Sequence, residues 1–210
     1  VAVMVSPAIR NITGAHNLDI IELMTLSGDV LGVWDAFNTT VASTSTGIWI
    51  NRSKVSEYIP NTIGVAFTSR QNKALVVSFQ GNKISLFDTV DRQTIEVPLH
   101  AEQAMISGGR IYAKLGAHVY EVLMREVGGG LILSSQQASN CMPSSTTLYD
   151  GVAIDDRLGS TWVTVYPNTG VCFEQHLPEL KGYKIVDARC EKNVLMVVGH
   201  KKGKYDRLVI

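Results

Sequence analysis

Cysteine is scarce in this sequence. Cys141, Cys172 and Cys190 are the only three, no two of them form a C-x-x-C pair, and they are too scattered for a disulfide-dense secreted scaffold. Free cysteines of this kind usually behave as small buried hydrophobes. An excess of charge of one sign is absent as well, since 19 Lys and Arg balance 19 Asp and Glu. A neutral chain lacks the broad positive field that captures nucleic acid or acidic membrane. No uninterrupted apolar run exceeds Val194-Leu195-Met196-Val197-Val198, far short of the ~20 residues that span a bilayer as a helix. Sustained 3.6-residue periodicity is missing, so helices are expected to be largely absent.

Catalytic signatures are missing too. No G-x-S-x-G elbow presents a nucleophile, and His16, His100, His118, His176 and His200 occur singly, without H-E-x-x-H or any short pairing that would set two zinc ligands on one face. Gly128-Gly129-Gly130 lacks the Lys-Ser/Thr and the helix of a phosphate-cradling loop and reads as a hairpin tip. Asp150 and Asp155-Asp156 have no EF-hand spacing and read as turn-capping carboxylates. The sequons at Asn11, Asn38 and Asn51 are no more than chance supplies in a chain this rich in Ser and Thr. No cofactor or metal is therefore expected. An intracellular reducing setting, or a virus particle, suits the chain better than secretion.

What the sequence does have is alternation. Apolar and polar residues trade places with the two-residue period of a half-buried strand along most of the chain. The clearest stretch runs from Ile63 to Leu99, with candidate strands Gly64–Phe67, Ala74–Phe79, Lys83–Phe87 and Thr94–Leu99 separated by turn residues such as Gln80-Gly81-Asn82. A second set follows at Gln103–Ser107, Arg110–Leu115, His118–Leu123 and Leu131–Ser135. A third holds Gly151–Ile154, Thr161–Tyr166 and Gly170–His176; a fourth holds Lys184–Ala188, Val194–Val198 and Tyr205–Ile210. Upstream, Ile20–Leu26, Val30–Phe37, Gly47–Ile50 and Lys54–Ile59 form a less regular set. Five units in 210 residues give a period of roughly 42, that of four-stranded propeller blades.

Asn82-Lys83-Ile84-Ser85-Leu86-Phe87-Asp88, followed by the strand at Thr94-Ile95-Glu96-Val97, resembles the third and fourth strands of a WD40-like repeat. Phe87-Asp88 stands where that family has Trp-Asp; the other units lack the dipeptide. A weaker echo lies at Leu158-Gly159-Ser160-Thr161-Trp162, similar to the back half of a sialidase Asp-box, although Arg157 occupies the position of its Asp. The first resemblance implies an all-β propeller, or propeller fragment, of about five four-stranded antiparallel blades, with residues 1–210 as a single domain. Val1 as the first residue and a strand still running at Leu208-Val209-Ile210 leave two expectations open. One is a ring closed by Val1–Val5 beside Tyr205–Ile210; the other is a piece of a six- or seven-bladed ring. A β-sandwich pair is the structural alternative.

Charge is unevenly spread along the chain. Arg10 faces Asp19, Glu22, Asp29 and Asp35 in residues 1–50, whereas residues 181–210 carry eight Lys and Arg against Asp187, Glu191 and Asp206. Within that basic end, His200, Lys201, Lys202 and Lys204 are expected on a hairpin that projects as a partner-contact rim. No aromatic interleaves this cluster in the manner of a single-strand stacking platform. With no catalytic constellation found, the expected function is a non-catalytic protein–protein interaction scaffold. Its partners would be other protein chains of an assembly, with neither membrane nor nucleic acid. A WD-like adaptor and a structural component of a virus or phage particle fit equally. The alternative is a propeller enzyme or glycan-binding module with its site at the ring axis.

Overall fold

A computed structural model describes residues 28–36, 39–51, 53–68, 73–138, 146–157, 160–165, 173–191 and 194–210 of the chain. The candidate strands Val1–Val5 and Ile20–Leu26, together with His16, Cys141 and Cys172, lie outside the described residues. The chain divides into two compact units, Val1–Pro60 and Asn61–Ile210.

In the first unit, β1 (Val30–Ala36), β2 (Thr39–Thr44), β3 (Gly47–Ile50) and β4 (Ser53–Ser56) form an antiparallel sheet in chain order. Strand β2 was not expected, because Thr-Thr-Val-Ala-Ser-Thr shows no alternation. Val41, Ala42, Ser43 and Thr44 are all buried, so the strand is covered on both faces and has no polar side to display. The Thr44 hydroxyl ties its end to the following turn, donating to the Gly47 carbonyl (3.2 Å) and accepting from Trp49 Nε1 (3.3 Å). Asn51 takes the left-handed conformation that a tight turn requires (φ 43°), and its Oδ1 accepts the Thr40 N–H at 3.0 Å.

The second unit contains four sheets. The strands β5 (Thr62–Phe67), β6 (Ala74–Gln80), β7 (Lys83–Asp88) and β8 (Thr94–His100) make one meander. Next come β9 (Gln103–Ser107), β10 (Arg110–Leu115), β11 (His118–Val127) and β12 (Gly130–Gln137). The third sheet holds β13 (Thr147–Leu148), β14 (Ala153–Arg157), β15 (Ser160–Val165) and β16 (Phe173–Leu177). After a single 3-10 turn, Pro178–Leu180, the fourth runs through β17 (Lys184–Glu191), β18 (Val194–His200) and β19 (Arg207–Val209). The chain is all-β, and its sheets have the order and connectivity of propeller blades.

Core side chains show how these blades stack. Leu75, Val77, Ile84 and Leu86 of the first meander pack with Ile111, Ala113, Val122 and Met124 of the second. Met105, Tyr112 and Val119 of the second meet Leu148 and Ala153 of the third, while Val152, Ile154, Val163 and Leu177 meet Ile185, Ala188 and Val197 of the fourth. The β9–β12 and β13–β16 sheets therefore each bury one face on the sheet before and the other on the sheet after. A fully buried Leu or Ile in such an interface contributes roughly 1.5–3 kcal/mol. The first strands lie on one side of the stack: β5 beside β9, β9 beside β13, and Asp150 in a parallel bridge to Arg189 of β17.

Alternation along the candidate strands puts Val65, Phe67, Leu75, Val77, Ile84, Leu86, Ile111, Val152, Ile154, Val163, Val165, Val186, Leu195 and Val197 in the core. The Val165 side chain lies outside what the structure describes, and most of the others are placed correctly. Val65, Leu75, Val77, Ile84, Leu86, Ile111, Val152, Ile154, Val163 and Val197 are buried, and Phe67 and Leu195 half-buried. Val186 is a correction: it is 50% exposed, because the pairing of β17 with β18 shifts register between Ile185 and Asp187. A bulged residue has no partner opposite it and turns out of the alternation.

The aromatic–Asp pair at the end of β7 has a structural task. Asp88 is 2% exposed, its Oδ1 accepts the N–H groups of Val90 (2.8 Å) and Asp91 (3.0 Å), and its Oδ2 meets Lys73 Nζ at 3.2 Å. Burial pushes its pKa up, but the two N–H donors and the Lys73 ammonium outweigh that, and the carboxyl sits below its ordinary value.

Candidate functional site

The rim foreseen at residues 200–204 is a braced hairpin. Strand β18 ends at His200, the chain turns through Lys201–Asp206, and β19 returns at Arg207, with Gly199 paired to Arg207 across the ladder. The Lys204 N–H donates to the Lys201 carbonyl at 3.0 Å, and His200 Nδ1 lies 2.6 Å from Asp206 Oδ1, which pins the two ends of the turn together.

Tyr183 props the hairpin from below. Its N–H donates to the Leu180 carbonyl (2.9 Å), so the 3-10 turn fixes its position. The Arg207 guanidinium carbon lies 5.1 Å and Lys201 Nζ 5.5 Å from the ring centroid, both within cation–π range. Arg207 Nη1 also donates to the Glu179 carbonyl at 2.6 Å. The ring reaches this position because residue 199 is glycine. A Cβ there would stand 2.8 Å from Tyr183 Cβ and 3.0 Å from Leu180 Cδ2.

The four expected residues thus separate into two roles. His200 and Lys201 brace the turn, whereas Lys202 and Lys204 are exposed and project from it. Beside them Tyr205 is 96% exposed, and an open cleft of about 850 Å³ is lined by Tyr183, Gly203, Lys204, Tyr205, Asp206, Arg207 and Leu208. Sequence reading found the lysines but missed the aromatics. Tyr205 directly follows Lys204 and was the available signal; Tyr183 is distant in sequence, and the β17–β18 pairing, which sets Lys184 opposite His200, brings it to the cluster.

The other candidates resolve into structural parts. Asp150 Oδ2 lies 3.3 Å from Arg189 Nε, and Asp155 is buried inside its blade. Burial, with the Asp150 charge nearby, pushes the Cys190 thiol up, away from a reactive thiolate. Gly128 and Gly129 both have positive φ and stand clear of other atoms at the β11–β12 tip. Among the described residues, no group of three or more His, Cys, Asp and Glu could hold a metal ion. No described helix is long and apolar enough to cross a membrane.

A second cleft, about 640 Å³, opens on the outer half of the β9–β12 sheet around Phe67, Arg110, Glu121, Arg125, Val127 and Ile132. Glu121 is buried there between Arg110 Nη1 (2.8 Å) and Gln136 Nε2 (3.2 Å). Burial and the Glu121 charge raise the neighbouring Tyr112 hydroxyl to about 12, against the opposing pull of Arg110.

No family model matches the chain, and neither does any curated protein. Solved structures do. Hsv2 of Kluyveromyces lactis aligns over 87% of this chain and 60% of its own, at 16% identity and a TM-score of 0.42. A second Hsv2 structure, with complete loop 6CD, aligns over 81% of this chain and 55% of its own at 17% identity and a TM-score of 0.42. A chain in an S. cerevisiae complex of Dbp5 with Nup159, Gle1, IP6 and ADP aligns over 81% of this chain and 56% of its own at 11% identity and a TM-score of 0.40. The chain spans about 60% of the length of the Hsv2 structure it matches.

Proposed function

We propose that this chain is a non-catalytic interaction scaffold, whose blades hold the Lys201–Asp206 turn as a rim against another protein chain. The observation that supports it is the contrast within that turn. Its base is fixed by the His200–Asp206 pair and by Tyr183 under Lys201 and Arg207, while Lys202, Lys204 and Tyr205 are presented to solvent. A braced loop loses less conformational freedom on binding than a free one, an exposed tyrosine suits a protein interface, and exposed lysines at its rim steer a partner of opposite charge. The reading serves a WD-like adaptor and a structural component of a virus or phage particle alike, since either would use such a rim.

Lysine-directed acetylation and crosslinking of the chain in its native assembly test it. Lys202 and Lys204 should be shielded from acetylation and should crosslink to another chain. Replacing both with Glu should weaken association, more at low salt than at high, because exposed charges are screened over about 8–10 Å at physiological strength. Fully reactive lysines and a silent charge reversal would place the contact surface elsewhere.

A further inference from the structure

Within the β9–β12 sheet one hairpin outruns its neighbour. Strand β10 begins at Arg110, directly after the Gly108-Gly109 turn, and its pairing with β11 extends only to Ile111 and Val122, whereas β11 and β12 stay paired as far as Val127 and Gly130. Alternation sets Leu123, Arg125 and Val127 on one face of this overhang, with Ser134 opposite Leu123 and Ile132 opposite Arg125. Met124 goes to the other face and into the core shared with the β5–β8 sheet. Phe67 lies where the overhang starts, against Gly109, at which an added Cβ would stand 3.1 Å from its Cδ2. Val127 and Ile132 are 51% and 54% exposed, so the cleft of about 640 Å³ has an apolar wall in contact with solvent.

The charges of the cleft name its complement. Glu121 is engaged by Arg110 and Gln136, whereas the exposed Arg125 side chain has no hydrogen-bond or ion-pair partner among the described residues. Arg110 and Arg125 against Glu121 leave one positive charge in surplus, 2 − 1 = +1. A guanidinium next to apolar surface takes a carboxylate through paired N–H donors, and arginine is enriched where proteins meet. A second copy docked face to face would set Arg125 against Arg125, like charge on like. Small-molecule sites bury roughly 70–90% of their ligand, which a cleft open along its side does not do; a protein segment gains further contact beyond the cleft.

We infer that this cleft docks a short segment of a partner protein in which apolar side chains flank a single carboxylate, the apolar ones lying on Val127 and Ile132 and the carboxylate on Arg125. It shares no lining residue with the cleft beside the Lys201–Asp206 turn, so it is a second contact surface, tested apart from the first.

The whole chain is titrated with a pool of short fluorescent peptides that carry a central Glu, with Leu, Ile, Val and Phe varied on either side. A matched pool with central Lys and the small amphiphile octanoate are the controls, and hydroxyl-radical footprinting of the free chain is run in parallel. Members of the Glu pool should bind, at least tenfold more tightly than the Lys pool. Arg125→Glu should reverse that preference, and Ile132→Ser should weaken both pools, while Lys202→Glu with Lys204→Glu leaves binding unchanged. Failure of every member of the Glu pool to bind, or a silent Arg125→Glu, would overturn the inference. So would octanoate displacing the peptides at equal concentration, which would make the cleft a site for small amphiphiles, or Val127 and Ile132 shielded in the free chain, which would mean that its own residues fill the cleft.

Discussion

Gly151 sits where the third and fourth blades touch, and replacing it with alanine tests whether that junction is packed backbone to backbone. The residue has φ 74°, and a Cβ added to it would stand 2.5 Å from the Cys190 carbonyl oxygen and 3.6 Å from that of Ile106. The Cys190 oxygen cannot swing aside easily, since the Cys190 N–H donates to the Asp150 carbonyl at 2.9 Å and Arg189 bridges Asp150. Placing a non-glycine residue in the left-handed region costs roughly 1–2 kcal/mol, and forcing packed backbone apart adds about 1–3 kcal/mol. Gly151→Ala should therefore destabilise the chain by about 2–5 kcal/mol, among the larger single-site effects.

Gly81 supplies the control, because it has φ 58° with nothing within 4 Å of its would-be Cβ. Gly81→Ala should cost only the backbone term, about 1–2 kcal/mol. Urea unfolding of both variants, read as midpoint shifts at unchanged slope, separates the two contributions. Equal destabilisation of the two, or a smaller effect at Gly151, would refute the close approach of the blades.

Asp88→Ala should remove about 1–3 kcal/mol at neutral pH, since it strips a charged acceptor from two N–H groups. Because the folded carboxyl lies below its ordinary pKa, its contribution is present above the unfolded value near 4 and vanishes as pH falls through the folded one; wild type and variant should converge in acid melts. Tyr112, raised to about 12, should stay protonated while exposed tyrosines ionise, leaving one phenol silent in ultraviolet titration until the fold opens. The same shift removes stability as pH climbs from about 10 towards 12, an alkaline loss that Tyr112→Phe should abolish. Tyr183→Ala should leave the circular dichroism strand-dominated but raise proteolytic nicking between Lys201 and Asp206, because two cation–π contacts that brace the turn are lost; unchanged nicking would mean that the ladder suffices.

Where the two-residue period was clean, it was enough to find the blades. Ile84, Leu86 and Phe87-Asp88 fall where alternation and turn chemistry put them, because each strand has unlike faces. Strand β2 escaped notice because both of its faces are covered, and β13 because two residues, Thr147 and Leu148, are too short to show a period. Val186 was misplaced because a bulge is a property of pairing, which a single strand cannot reveal. The lysine-rich turn stood out as composition. Its aromatic support did not: Tyr183 reaches the cluster only across a ladder and past a missing Cβ at Gly199, and neither is written in local pattern.

The stacking of the second unit also says how the chain can come to be folded. Its strands pair with strands adjacent in sequence, and its core clusters join blades that follow one another. Loop closure is therefore short at every step, and a polypeptide leaving the ribosome can complete each blade on the one just finished instead of waiting for a distant strand. Stability in such an array is a sum of blade terms and nearest-neighbour terms. A lesion in the β9–β12 sheet, which packs on the β5–β8 sheet and on the β13–β16 sheet, therefore breaks two couplings at once.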